Sequence, residues 1–95
     1  MAKMMMAIQV VPHAEDVYGV VDKAIEAIAA SGLRYEVTPM ETVVEGELDE
    51  LLEVARKAHR ASLEAGASSV LTYIKLVERA GGGQVTIDRV MAKYR

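Results

Sequence analysis

The 95-residue chain contains no cysteine, no phenylalanine and no tryptophan, and each gap removes a class of function. Without cysteine there is no disulfide framework, thiolate metal site or thiol nucleophile, a composition that fits a reducing cytoplasm. Base-stacking platforms are scarce, with only Tyr35 and Tyr73 in strand-like stretches. The net charge of −3 and pI near 5.3 offer no basic stripe for phosphates, so a nucleic-acid partner is not expected. No run is long enough to cross a bilayer, and the Met-rich start, Met1 to Met6, lacks the length and cleavage site of a signal peptide. No membrane partner is expected either.

Catalytic patterns are missing as well. His13 and His59 fall in separate elements with no second ligand at metal spacing. No serine or threonine is matched with a histidine and an acid. An acylphosphatase-like enzyme would need a phosphate-cradling loop with an arginine after the first strand, which Pro12-His13-Ala14 does not supply. Gly81-Gly82-Gly83 lacks the lysine of a phosphate loop and reads as a hinge, while Arg34 and Arg79 read as solvated or paired surface residues. The expectation is a protein that is not an enzyme, with no catalytic residue, no metal and no cofactor.

What is present is apolar periodicity. Lys3 to Val11 is a nearly unbroken apolar run, the mark of a central strand covered on both faces, with Pro12 expected to end it. From about Ala14 to Ser31, Val17, Val21, Ala24, Ile25 and Ile28 fall on one helical face, with Glu15 and Asp16 in the first turn and Gly32 just past the end. Tyr35 to Thr38 alternates as a strand, Pro39-Met40-Glu41 is a turn, and Thr42 to Val44 resumes strand character before Gly46. Leu48 to Ala65 is a second helix, with Leu48, Leu51, Leu52, Ala55, Ala58 and Ser62 on its apolar side and Glu47, Asp49 and Glu50 at its start. Glu53–Lys57 and Arg60–Glu64 have the spacing of ion pairs along it.

Ser68 to Arg79 reads as a long last strand, with Val70, Thr72, Ile74 and Leu76 on one face and Leu71, Tyr73, Lys75 and Val77 on the other. The tail places Ile87, Val90, Met91 and Tyr94 along a short amphipathic helix. The order β-α-β-β-α-β predicts an α+β fold, a ferredoxin-like βαββαβ two-layer sandwich with an extra C-terminal helix, in a single domain over residues 1–95. Both helices then cover one sheet face. The other face and the edge of the last strand carry apolar residues too, which predicts self-association.

The stretch Pro39-Met-Glu-Thr-Val-Val-Glu-Gly-Glu47 resembles the P-M-G-T-x-I-E-G-E signature of the YkoF-like thiamine-binding protein family. The likeness spans the chain, through the first strand ending in Pro12, Ser31-Gly32-Leu33, Gly66-Ala67 and the Thr86-Ile-Asp-Arg-Val90 tail. It departs at Glu41, where the family usually has glycine. The resemblance implies sheet-to-sheet dimers paired into a homotetramer, a dimer of dimers. It also implies binding of thiamine or its hydroxymethylpyrimidine moiety without turnover, and with the cysteine-free composition the expectation is a cytoplasmic small-molecule binding protein whose site lies at a subunit interface.

Such a ligand joins a cationic thiazolium to an aminopyrimidine, so its site needs carboxylate, hydroxyl and an apolar or aromatic platform. The hairpin offers Glu45 as carboxylate, Thr42 and Thr38 as hydroxyls, and Tyr35 and Met40 as platforms. Each also has a plain structural use, as helix-start carboxylate, strand residue or core filler. Two other functions fit the same pattern: a regulatory amino-acid-sensing module of the ACT type, or a structural oligomer with no small ligand.

Overall fold

The computed structural model describes residues 4–94. Its elements are β1 (Met4–His13), α1 (Val17–Ala29), β2 (Tyr35–Val37), β3 (Thr42–Gly46), α2 (Leu48–Glu64), β4 (Ser69–Val77) and α3 (Ile87–Met91). The strands form one antiparallel sheet in the order β2-β3-β1-β4. With α1 and α2 packed together on one face of it, the fold is the expected ferredoxin-like α+β sandwich, and α3 is the extra element.

Strand alternation divides β1 between the two faces. Met4, Met6 and Ile8 are buried under the helices, where they meet Val44 of β3, Ala24 and Ile28 of α1, and Leu51, Val54, Ala55 and Ala58 of α2. Met5, Ala7 and Gln9 look the other way. Register carries the pattern outward: Ile8 lies opposite Ile74 and Met6 opposite Leu76, so Val70, Thr72, Ile74 and Leu76 share the helix-facing side. Thr72 there stands 2.7 Å from Nδ1 of His59, which accounts for that half-buried histidine as a structural residue.

Several boundaries and faces differ from expectation. Pro12 does not end β1, which runs to His13; pairing with β3 stops at Ile8, so beyond it a missing N–H on that side costs no ladder bond. α1 begins only at Val17, because Asp16 is its N-cap and accepts from the Gly19 N–H at 3.0 Å. Its buried line is Val20, Ala24 and Ile28, with Val17 exposed. On α2, Val54 is buried while Leu48 and Leu52 are exposed. Glu50 closes the start of that helix by accepting from the Glu47 N–H at 2.9 Å. Glu53 reaches Lys57 only at 4.0 Å and takes Arg56 as its closer partner at 2.6 Å.

β4 is shorter than the sequence suggests, ending at Val77, and it forms one edge of the sheet. Its outer face exposes Leu71, Tyr73 and Val77. The chain then turns through Gly81 and Gly82, both at positive φ, and crosses back over the open sheet face. Val85 and Ile87 are buried there, whereas Val90 and Tyr94 of the expected apolar stripe remain exposed. Thr86 caps α3 by accepting from the Arg89 N–H at 3.2 Å.

Candidate functional site

The same alternation decides what the hairpin can do. Thr42 and Glu45 are three residues apart on β3, so they project from opposite faces. Thr42, opposite Ile8, and Tyr35, opposite Val44, lie on the helix side, while Glu45, opposite Met5, lies on the open side. The five candidate residues therefore do not converge on one site.

Glu45 is only 6% exposed, and its Oε2 accepts the backbone N–H of Ile87 at 2.6 Å. Beside it Arg34 donates to Asp88 at 2.7 Å, a second tie between the body and the tail. The expected ligand-orienting carboxylate is thus engaged in holding the C-terminal segment, where a charge-assisted bond to a helix-start N–H is favourable. Tyr35 packs against the core.

The other three residues do come together. A groove of about 260 Å³ runs between α1 and the β2–β3 turn, bounded by Val17, Tyr18, Val21 and Ile25 on one side and by Thr38 to Thr42 on the other. Met40, 74% exposed, stands at its mouth with Tyr18, 85% exposed. Thr38 shapes the rim, its hydroxyl donating to the Glu41 carbonyl at 2.6 Å and accepting from the Glu41 N–H at 3.1 Å. Glu41, at the rim where the resembling signature has glycine, is held by Lys75 at 3.2 Å. Thr42 is different. It is 6% exposed, it lines the groove, and its hydroxyl meets no hydrogen-bond partner among the described residues. Since no fully buried side-chain oxygen or nitrogen among the described residues lacks a partner, this hydroxyl opens into the groove, where a small polar group can reach it.

A larger hollow of about 600 Å³ lies at another corner, between His13–Asp16 and Ala65–Ser68. Two of its polar groups are engaged: Asp16 caps α1, and the His13 carbonyl accepts from both the N–H and the hydroxyl of Ser68. The groove, walled by Val17, Val21, Ile25 and Ile28, is the more apolar of the two. The pair with shifted pKa values is Glu53 and Arg56 on the outer surface of α2, where the Arg56 hydrogen bond holds the Glu53 carboxyl below its ordinary value. Among the described residues no cluster of acidic or histidine side chains could hold a metal, and no helix is long and apolar enough to cross a membrane. The wall from α1, with Tyr18, Val21 and Ile25, had no signal in the sequence beyond an ordinary amphipathic pattern.

A family model described as thiamine-binding protein matches residues 6–95. A UPF0045 protein of Clostridium perfringens is 43% identical over 91 residues, covering 94% of each chain. Among solved structures, a Bacillus cereus domain of unknown function aligns with a TM-score of 0.93 at 52% identity, covering 99% of this chain and 91% of that one. A Thermotoga maritima protein, provisionally described as a thiamine biosynthesis/salvage protein, aligns at 0.86 and 36% identity, covering 98% and 99%.

Proposed function

Because the chain belongs to the thiamine-binding protein family, we propose that it is a cytoplasmic small-molecule binding protein that takes thiamine or its hydroxymethylpyrimidine moiety in the α1–hairpin groove without turnover. The observation that carries this reading is Thr42, a largely buried residue whose hydroxyl makes no hydrogen bond to a described residue and opens into a mostly apolar groove. Apolar walls with a few placed polar groups are the usual make-up of a small-molecule site, and about 260 Å³ is just under the ~300 Å³ at which drug-sized sites begin. One aromatic ring suits it. A thiazolium would then extend past Met40 toward the rim.

The assembly we propose is a homotetramer, a dimer of dimers. Its support is the exposed row Leu71, Tyr73 and Val77 on the open sheet face and the unpaired outer edge of β4. The groove walls come from one chain, and a second subunit against Met40 and Tyr18 would complete the site at an interface. A thermal-shift screen over vitamins, pyrimidines and amino acids tests the reading. Ligand at 100 times its dissociation constant adds about 2.7 kcal/mol to stability, enough to see. A shift with thiamine or hydroxymethylpyrimidine is expected, and a shift with amino acids alone would replace this reading by an amino-acid sensor.

A further inference from the structure

The groove has a second polar feature, and it belongs to the main chain. Pairing between β1 and β3 ends at Ile8–Thr42, while β1 runs on to His13 beside β4. Past Ile8, β1 therefore has a partner on one side only.

Which backbone groups face the vacant side follows from two separate hydrogen bonds. His13 turns its carbonyl to the β4 side, accepting from the Ser68 N–H at 2.9 Å. On β3, the Glu45 N–H donates to the Arg34 carbonyl on the β2 side, so Val44 and Thr42 turn toward β1, and Ile8 turns to meet Thr42. Since N–H and C=O of one residue point to the same side and successive residues alternate, both routes give one answer. Ile8, Val10 and Pro12 face the β3 side. Ile8 is paired there, and Pro12 has no N–H to lose. Val10 is left with an N–H and a C=O directed into the space where β3 has turned away through residues 38–41.

That space is the groove. Gln9 and Val10 both line it, although the Gln9 side chain belongs to the opposite sheet face, so the strand contributes its backbone there. Among the described residues neither the Val10 N–H nor its C=O has a hydrogen-bond partner outside the ladder with β4, and at a half-buried residue such groups favour a bound partner.

We infer that the ligand is read by the free edge of β1: a planar heterocycle with a hydrogen-bond donor beside an acceptor, of the aminopyrimidine kind, lies edge-on to the N–H and C=O of Val10. The ring continues the plane of the sheet, its face lies under the apolar wall of α1, and the Thr42 hydroxyl meets a substituent. The adjacent donor and acceptor imitate a paired strand, the same use of main-chain bonding by which peptides extend a sheet edge. This inference rests on the binding reading above and adds what selects the ligand.

The test uses the full chain labelled with nitrogen-15. It is titrated with hydroxymethylpyrimidine and with the analogue lacking only the ring amino group, which keeps the acceptor and loses the donor. The Val10 amide resonance is expected to move downfield and gain exchange protection with the amino compound, and the analogue to bind at least tenfold more weakly. Saturable binding with a stationary Val10 amide and equal affinities would overturn edge recognition while leaving the binding reading intact. Absence of saturable binding by the amino compound would overturn both.

Discussion

The Glu45 carboxylate and the Ile87 backbone N–H are joined at 2.6 Å on the sheet face opposite the helices, across 42 residues of sequence. This bond and the Arg34–Asp88 pair lay the C-terminal segment over the sheet, burying Val85 and Ile87. A carboxylate of the hairpin thereby serves the tail.

Removing that bond should loosen the tail and spare the groove. In Glu45→Ala the Ile87 N–H loses its acceptor, and an unsatisfied buried donor costs about 1–3 kcal/mol. Urea denaturation is expected to show a loss of that size, with faster amide exchange around residues 85–88. Affinity for hydroxymethylpyrimidine should stay within about threefold, since the groove lies on the other face. A tenfold loss of affinity would return Glu45 to the site.

Thr42→Val keeps the side-chain shape and deletes the hydroxyl. With no side-chain hydrogen bond to lose among the described residues, the variant is expected to be as stable as the wild type or slightly more so. Affinity should fall by roughly two- to tenfold, the equivalent of one neutral hydrogen bond worth about 0.5–1.5 kcal/mol. Isothermal calorimetry and a melting curve separate the two effects.

Tyr73, 54% exposed on the open face of β4, is the residue by which to test the assembly. Tyr73→Glu puts a charge into the proposed subunit contact and should reduce a tetramer to smaller species in size exclusion with light scattering. The fold is expected to survive, because the residue lies outside the core. A wild-type chain that elutes as a monomer at micromolar concentration would remove the tetramer.

The acid side of the stability curve has an identifiable contributor. The Arg56 hydrogen bond lowers the folded-state pKa of Glu53, so the pair helps α2 above the unfolded carboxyl pKa and is lost as pH falls through the folded value. Both groups are on the surface, so the effect on stability is small. Arg56→Ala should make the Glu53 carboxyl titrate higher than in the wild type, read by carbon-13 chemical shifts.

Much of this architecture is written in local pattern. The apolar run of β1 announces a strand buried on the helix side and half-covered on the other, and Gly32 and Glu47–Glu50 mark one helix end and one helix start. Residue chemistry alone is a poorer guide to the site. Carboxylate, hydroxyl and ring all occur between Tyr35 and Glu47, yet alternation along β3 parts Glu45 from Thr42. Glu45 finds its partner only because α3 returns over the sheet, a long-range fact with no local signature. Pro12 is legible in hindsight of the topology: proline is barred from a strand only where its N–H is needed, and that depends on where β3 stops.

The binding claim stands or falls on one titration: hydroxymethylpyrimidine into the wild-type chain and into Thr42→Val, followed by isothermal calorimetry. A saturable heat approaching one ligand per chain, with affinity weakened roughly two- to tenfold in the variant, is the expected result. Equal affinity in the two proteins would place the ligand outside the α1–hairpin groove, and no saturable heat in either would contradict the assignment of this chain as a binder of thiamine-type ligands.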